Sequence, residues 1–233
     1  MSTRSPTVSR FTLTHIVAPL VAGLAVLAAV ALFDVDRRLL LYFYEPVRQV
    51  FPLRDNWILE QLIHRGGKYA VLFFWLTLVV GYIFSRPKRR ILLFLILSIG
   101  LSTAAVSLLK QVTNRHCPYE LREYGGDVVQ TTWLAQSDGA RGRCFPGGHA
   151  SAGFALMALY FVWYGSNRRL ALVALSASAM IGLVFGSARM MQGAHFFSHN
   201  LWSALLCWLI AAGLYRAMFG EHTNFPPEHL KRA

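Results

Sequence analysis

"ILLFLILSIGLSTAAVSLLK" (residues 91–110) runs for nineteen positions without a charge and closes on a lysine. A helix needs roughly 20 apolar residues to cross the hydrocarbon of a bilayer. Five more stretches have the same character: Phe11–Phe33, Tyr69–Ser85, Ala150–Gly165, Leu170–Gly186 and Leu201–Tyr215. Several fall short of full length, but the composition points the same way. The chain has 233 residues, 55% of them hydrophobic, only 15% charged, with a mean hydropathy of +0.42. A soluble domain of this size carries more charge. The expected fold is all-α: a polytopic membrane protein with six transmembrane helices, forming a single membrane domain over residues 1–233. The first apolar run exceeds the core of a secretory signal and lacks a small-residue cleavage site, so it reads as a membrane helix.

The formal charge of +12 comes from 23 Lys and Arg against 11 Asp and Glu. In a soluble chain it would suggest nucleic acid; here no nucleic-acid partner is expected, because the basic residues sit in short connections. Examples are "SRPKRR" (85–90) and "NRR" (167–169). One side of the membrane holds 11 Lys/Arg in about 37 residues, and the other holds 12 in about 89. The dense side is expected in the cytoplasm with both termini, as in a bacterial inner membrane. The segments 34–68 and 110–149 then lie outside, on the periplasmic face. Nine of the 11 acidic residues fall on that outer side.

The first outer segment mixes aromatic and charged residues without a long apolar run, which suits one or two helices lying in the interface. The second is rich in glycine and charge, with "GGD" at 125–127 and "SDGARGR" at 137–143. It reads as loop, and a structureless loop of that length is usually functional or disordered. Cys117 and Cys144 both fall in it, and an oxidising compartment would let them pair. Cys207 lies inside the last apolar run as a packing residue.

Three polar clusters mark the outer ends of the runs. "KQVTNRHCP" carries Lys110, "RCFPGGH" carries His149, and "SARMMQGAHFFSHN" carries Arg189, His195 and His199. Taken singly, a lysine or arginine at a span end is an interfacial anchor, and a histidine there is packed or solvated. Together they suggest chemistry, since ionisable groups at such depths are expensive. Lys110 and Arg189 suit phosphate oxygens, the arginine through its fork of donors. The Gly147–Gly148 turn ahead of His149 offers backbone N–H groups to an anion. Two histidines can divide displacement at phosphorus, one as nucleophile and one as acid on the leaving oxygen. Cations and N–H dipoles can hold the transition-state charge, so no metal or other cofactor is implied. The phosphate would sit at the span ends while the tails of a lipid stay in the bilayer.

The order Lys-x6-(Arg)-Pro, Pro-(Ser)-Gly-His and Arg-x5-His-x3-(Asp) resembles the three-part signature of the type 2 phosphatidic acid phosphatase superfamily, whose bacterial lipid phosphatases have six membrane helices. Lys110 and Pro118 match the first part, Pro146, Gly148 and His149 the second, and Arg189 and His195 the third. "RMMQGAHFFS" is also similar to the third motif of lipid A phosphatases. The resemblance implies that His195 is the nucleophile forming a phosphohistidine and His149 the general acid. It implies that Lys110, Arg189 and the Gly148 amide hold the phosphate.

Three positions depart from the signature. Cys117 stands where an arginine is expected, leaving Arg115 or Arg143 to supply that charge. Gly147 replaces a serine, and His199 replaces the aspartate that would orient His195. A Cys117–Cys144 disulfide would tie the first two motifs together in place of the missing arginine. The resulting expectation is a metal-independent lipid phosphatase or phosphotransferase acting at the outer leaflet. Its substrate would be a lipid phosphate or diphosphate such as lipid A, polyprenyl diphosphate or a phosphatidyl phosphate. The alternative is a catalytically weak envelope protein that binds a lipid phosphate; a small transporter would instead favour ionisable residues at mid-membrane depth.

Overall fold

The structure, a computed structural model, describes residues 9–129 and 141–220. The basic tails and the start of the "SDGARGR" stretch lie outside the described residues.

Five helices are long and apolar enough to cross a membrane: α1 (Arg10–Leu32), α3 (Ile58–Phe84), α4 (Arg86–Val112), α6 (Arg168–Met191) and α7 (Phe197–Phe219). A sixth apolar helix, α5 (Gly148–Trp163), is shorter. A further short helix, α2 (Val35–Leu41), follows α1 after Asp34 takes a left-handed conformation at φ 50°. Among the described residues there is no β-sheet, and the sixfold apolar pattern of the sequence is the pattern of the fold. It is a helical membrane protein.

The short basic connections have a local function. Arg89 donates from Nε to the Tyr82 carbonyl at 3.1 Å and from Nη2 to the Ile83 carbonyl at 3.0 Å. These are carbonyls at the end of α3 that no further turn can satisfy. Asn167 accepts from the Leu170 amide at 3.1 Å and caps the start of α6.

α5 is the centre of the bundle, packed by α4, α6 and α7. Ala150, Ser151 and every residue from Gly153 to Ala158 are buried, so its length is not set by the bilayer alone. Residues Ala155–Ala158 tighten to a 3-10 helix, which rises further per residue than an α-helix. Glycine is required where α5 crosses α6: a Cβ on Gly153 would stand 2.5 Å from the Gly182 nitrogen. Small residues let membrane helices approach this closely. Away from the centre, Leu32, Phe73, Phe84 and Val173 are exposed, as lipid-facing side chains are.

The two ends of the bundle differ. At one end Phe11, Phe94, Phe161 and Tyr215 form a dry aromatic core. At the other, Leu40, Phe51, Leu121 and Tyr124 make a small apolar cap from the two long connections. The polar clusters lie beneath that cap.

The structure corrects one boundary. The second membrane helix starts at Ile58 rather than Tyr69, so 58–68 is not an interfacial helix or a connector. Glu60, His64, Arg65 and Lys68 break the apolar run in the sequence, yet the backbone winds through Gly66 and Gly67 without a stop. At 27 residues α3 is about 40 Å long, longer than a hydrocarbon core of about 30 Å. Glu60 and His64 face protein, while Arg65 and Lys68 are exposed. In the second connection the described residues make two 3-10 turns, Pro118–Glu120 and Arg122–Tyr124.

Candidate active site

Lys110 occupies the last turn of α4, and its Nζ lies 3.2 Å from where a Cβ on Gly148 would stand. The first and second clusters therefore meet through a glycine. The second and third are stitched by backbone: the Gly147 amide donates to the His199 carbonyl at 3.1 Å. The Ser203 hydroxyl lies 2.9 Å from the Gly147 carbonyl oxygen and 3.0 Å from that of His199.

Arg189 sits in the last turn of α6. Its Nη1 donates to Gln192 Oε1 at 2.8 Å and to Glu60 Oε2 at 3.2 Å, while its Nε is buried with no hydrogen-bond partner among the described residues. Gln192 is held in turn, its Nε2 donating to the Arg54 carbonyl at 3.0 Å. The chain then reverses at Gly193, where φ is +68° and a Cβ would run into the Phe51 ring. Only glycine tolerates both conditions. Ala194 N bonds the Arg189 carbonyl at 2.8 Å, and Tyr119 N bonds the Gly193 carbonyl at 3.0 Å. This turn delivers His195, only 3% exposed, to the middle of the site.

The ionisable groups facing His195 are His199, Lys110, Arg189 and His149. Burial first, and then these neighbours, hold its pKa well below the ordinary histidine value. Both effects favour the uncharged ring, which keeps a lone pair. His199 Nδ1 lies 3.5 Å from His195 Nδ1. The His199 ring also donates to the Cys144 carbonyl and meets Phe145 edge-on at 5.2 Å between centroids.

His149 opens α5, half-buried. Its ring lies 3.6 Å, centroid to centroid, from that of His64 on α3. His64 Nδ1 is 2.9 Å from Glu60 Oε1, and the same carboxylate reaches Arg189. The sequence reading missed both Glu60 and His64, which lack any motif spacing to the other clusters. The signal available was a carboxylate and a histidine four apart in a segment otherwise read as amphipathic. Residues Ile58–Gly66 are wound as a π-helix, wider than α, and such stretches cluster at functional sites. Asp36 was missed as well. It accepts from the Ser198 amide at 2.7 Å and from the Ser198 hydroxyl at 2.5 Å, anchoring the start of α7.

Arg143 and Arg115 are the residues expected to supply the charge of the missing arginine. Arg143 is exposed and pairs its backbone with Arg115. Arg115 faces His199 and lines a cavity of about 270 Å³ with Asp36, Glu123 and Trp202. Cys117 and Cys144 are joined in a disulfide with Cα atoms 5.1 Å apart. Glu120, beside them, accepts from the Cys117 amide at 2.8 Å and caps the Pro118–Glu120 turn. Gly147, in place of serine, faces Asn200: a Cβ there would come within 2.7 Å of Asn200 Oδ1.

Lys110, the Gly147–Gly148 turn, His149, Arg189, His195 and His199 thus come from four helices to one end of a membrane bundle. That defines a class: a helical membrane protein with cations and imidazoles gathered at one end of its bundle. Residues 91–222 match the family model of the PAP2 superfamily, and the chain belongs to that superfamily. Among solved structures it is similar to the "first transmembrane PAP2 type phosphatidylglycerolphosphate phosphatase from Bacillus subtilis". That likeness has a TM-score of 0.55 and 16% identity, and covers 90% of this chain and 98% of the other. At that identity it speaks for the fold. No curated protein sequence matches.

Proposed function

We propose that the protein is a metal-independent lipid phosphatase or phosphotransferase, working from the outer leaflet of a bacterial inner membrane on a lipid phosphate or diphosphate. The observation that carries this reading is His195, buried and faced by Lys110, Arg189 and His149. His195 Nε2 attacks phosphorus, the bond from phosphorus to the lipid oxygen breaks, and His149 gives that oxygen its proton. Water, or an acceptor hydroxyl, then attacks the phosphohistidine, returns a proton to His149, and frees His195. Lys110 and Arg189, with the Gly148 amide, hold the phosphoryl oxygens throughout.

His199 fits the role of orienting His195. A neutral ring carries one N–H, and when this is given to the Cys144 carbonyl the other nitrogen accepts from His195 Nδ1. The His195 lone pair then lies on Nε2, where attack requires it. A groove of about 320 Å³ between α3 and α4, lined by Val71, Leu72, Trp75, Ile99 and Ala152, suits an acyl or prenyl tail. Lys68 stands on the same wall.

Purified protein should release phosphate from one of a panel of lipid phosphates with EDTA present. Loss of activity in chelator, restored by a divalent ion, would overturn the metal-free mechanism. A second reading, binding without efficient turnover, is favoured by the absence of a carboxylate on His199. Saturable binding of a lipid phosphate with no release over hours would select it.

A further inference from the structure

Among the described residues the carboxylate that the signature places beside His195 has no counterpart there, yet the site has one on its opposite side. Glu60 bonds His64 Nδ1 through one oxygen at 2.9 Å and Arg189 Nη1 through the other at 3.2 Å. His64 carries that connection to His149, ring against ring at 3.6 Å between centroids. The His64 Nε2 is buried with no hydrogen-bond partner among the described residues.

We propose that Glu60 and His64 are positioning residues for His149, with Glu60 supplying the negative charge that keeps the cationic, acid form of His149 accessible. The inference rests on the reading of His149 as the group that protonates the leaving oxygen.

The argument is one of charge and geometry. His149 faces His64 and Lys68 from α3, Lys110 from α4, and Arg189 from α6, with His195 across the site. Lys68, Lys110 and Arg189 are cations, and each opposes a positive charge on His149. A general acid must nevertheless bear its proton when the lipid oxygen leaves. Glu60 is the carboxylate in contact with this group. Its bond to Nδ1 fixes the His64 tautomer, directing the Nε2 lone pair away from α3. The His64 ring then limits how far the His149 ring can turn. Because the same carboxylate holds Arg189, one residue aligns both the acid and the main phosphate clamp. The π winding of Ile58–Gly66 supports this, since four residues nearly complete a turn there and Glu60 and His64 share a face.

The test is the titration of the His149 ring, followed by NMR of the full chain in detergent with ¹⁵N-labelled histidine and assigned with His149→Gln. In Glu60→Gln, which keeps shape and hydrogen bonds but not charge, the His149 midpoint should fall by about one pH unit, an ordinary size for loss of one nearby charge. Glu60→Asp should restore part of the shift. An unchanged midpoint in Glu60→Gln would overturn the proposal. If that variant does not fold, the same titration in His64→Gln carries the test, with a midpoint more than half a unit away from wild type expected and an identical midpoint overturning it. In turnover, the alkaline limb of the pH–rate profile should move down by the same amount in Glu60→Gln. A rate lowered equally at every pH would mean a merely structural role. The titration needs no substrate, so a protein that never releases phosphate disproves the phosphatase reading without deciding this one.

Discussion

The site contains two pairs of imidazoles, and they are built differently. His195 and His199 meet nitrogen to nitrogen at 3.5 Å, buried, with a backbone carbonyl behind His199 and Arg115 beside it. His149 and His64 meet ring to ring, half-buried, with a carboxylate behind His64. Among the described residues, only the second pair has a carboxylate in hydrogen-bond contact. In the proposed displacement at phosphorus the nucleophile must have lost its proton while the acid still holds one. The chain places carboxylate and histidine otherwise than in the signature it resembles.

Removing either side should have the largest effect. His195→Ala and His149→Ala are each expected to lower turnover by at least about 10²–10⁴-fold while the protein stays folded. Rates on the identified lipid phosphate, with a thermal melt for folding, check this, and near wild-type rates in either variant would remove the two-histidine mechanism. The profile of the native enzyme adds a sign. His195 must be neutral to attack, and its pKa is held well below the ordinary value by burial and by neighbouring cations. The acid limb of the pH–rate curve should therefore lie below the usual histidine range, with activity retained at mildly acid pH.

Next in size is the disulfide, which ties the loop after α4 to the turn before α5 and holds the carbonyl that receives His199. Cys117 and Cys144 are 27 residues apart in sequence. Closing such a loop is worth roughly 3–4 kcal/mol in the chain-entropy account. A Cys117→Ser, Cys144→Ser chain should melt at a markedly lower temperature and lose activity before it loses helix content. Alkylation of denatured, unreduced protein should label one cysteine, Cys207; labelling of all three would show that the bond does not form.

What could be read in the sequence divides along physical lines. The membrane helices were legible because a bilayer demands long apolar runs, and the three clusters because each sits at the end of one. The start of α3 was not, since Glu60, His64, Arg65 and Lys68 make it look interfacial when Glu60 and His64 in fact face α6 and α5. Glu60 and His64 gain their meaning from the packing of α3 on α6, which no local spacing encodes. The same holds for Asp36, which reaches Ser198 across 162 positions of sequence. Arg115 shows the converse: close in sequence to the vacant arginine position, it is turned toward His199 by the fold.

The comparison sharpens at His199. His199→Asp places a negative charge against His195, raises its pKa and so should move the acid limb of the pH–rate profile upward. The plateau rate is expected to be unchanged or a few-fold higher, because the imidazolium character of the phosphohistidine becomes easier to bear, less whatever Arg115 neutralises. A folded but inactive variant would mean that the two imidazoles act as a unit that a carboxylate cannot replace.

Gly147→Ser should have the smallest effect, and its reason is specific. A Cβ at 147 would stand 2.7 Å from Asn200 Oδ1, an end of a flexible side chain rather than backbone. Asn200 must therefore turn, and it is 3% exposed and wedged against Gly186 as well. Its Oδ1 is buried with no partner among the described residues, so a serine hydroxyl would give that oxygen a donor. A hydrogen bond of this kind contributes about 0.5–1.5 kcal/mol, and strain from turning Asn200 should offset much of it. The expected outcome is a melting temperature within a few degrees of wild type and a rate within about threefold, since 1.4 kcal/mol would be needed for tenfold. A loss of a hundredfold would show that the backbone from Gly147 to Gly148 must move during turnover, and that the glycine is there for that motion rather than to make room for Asn200.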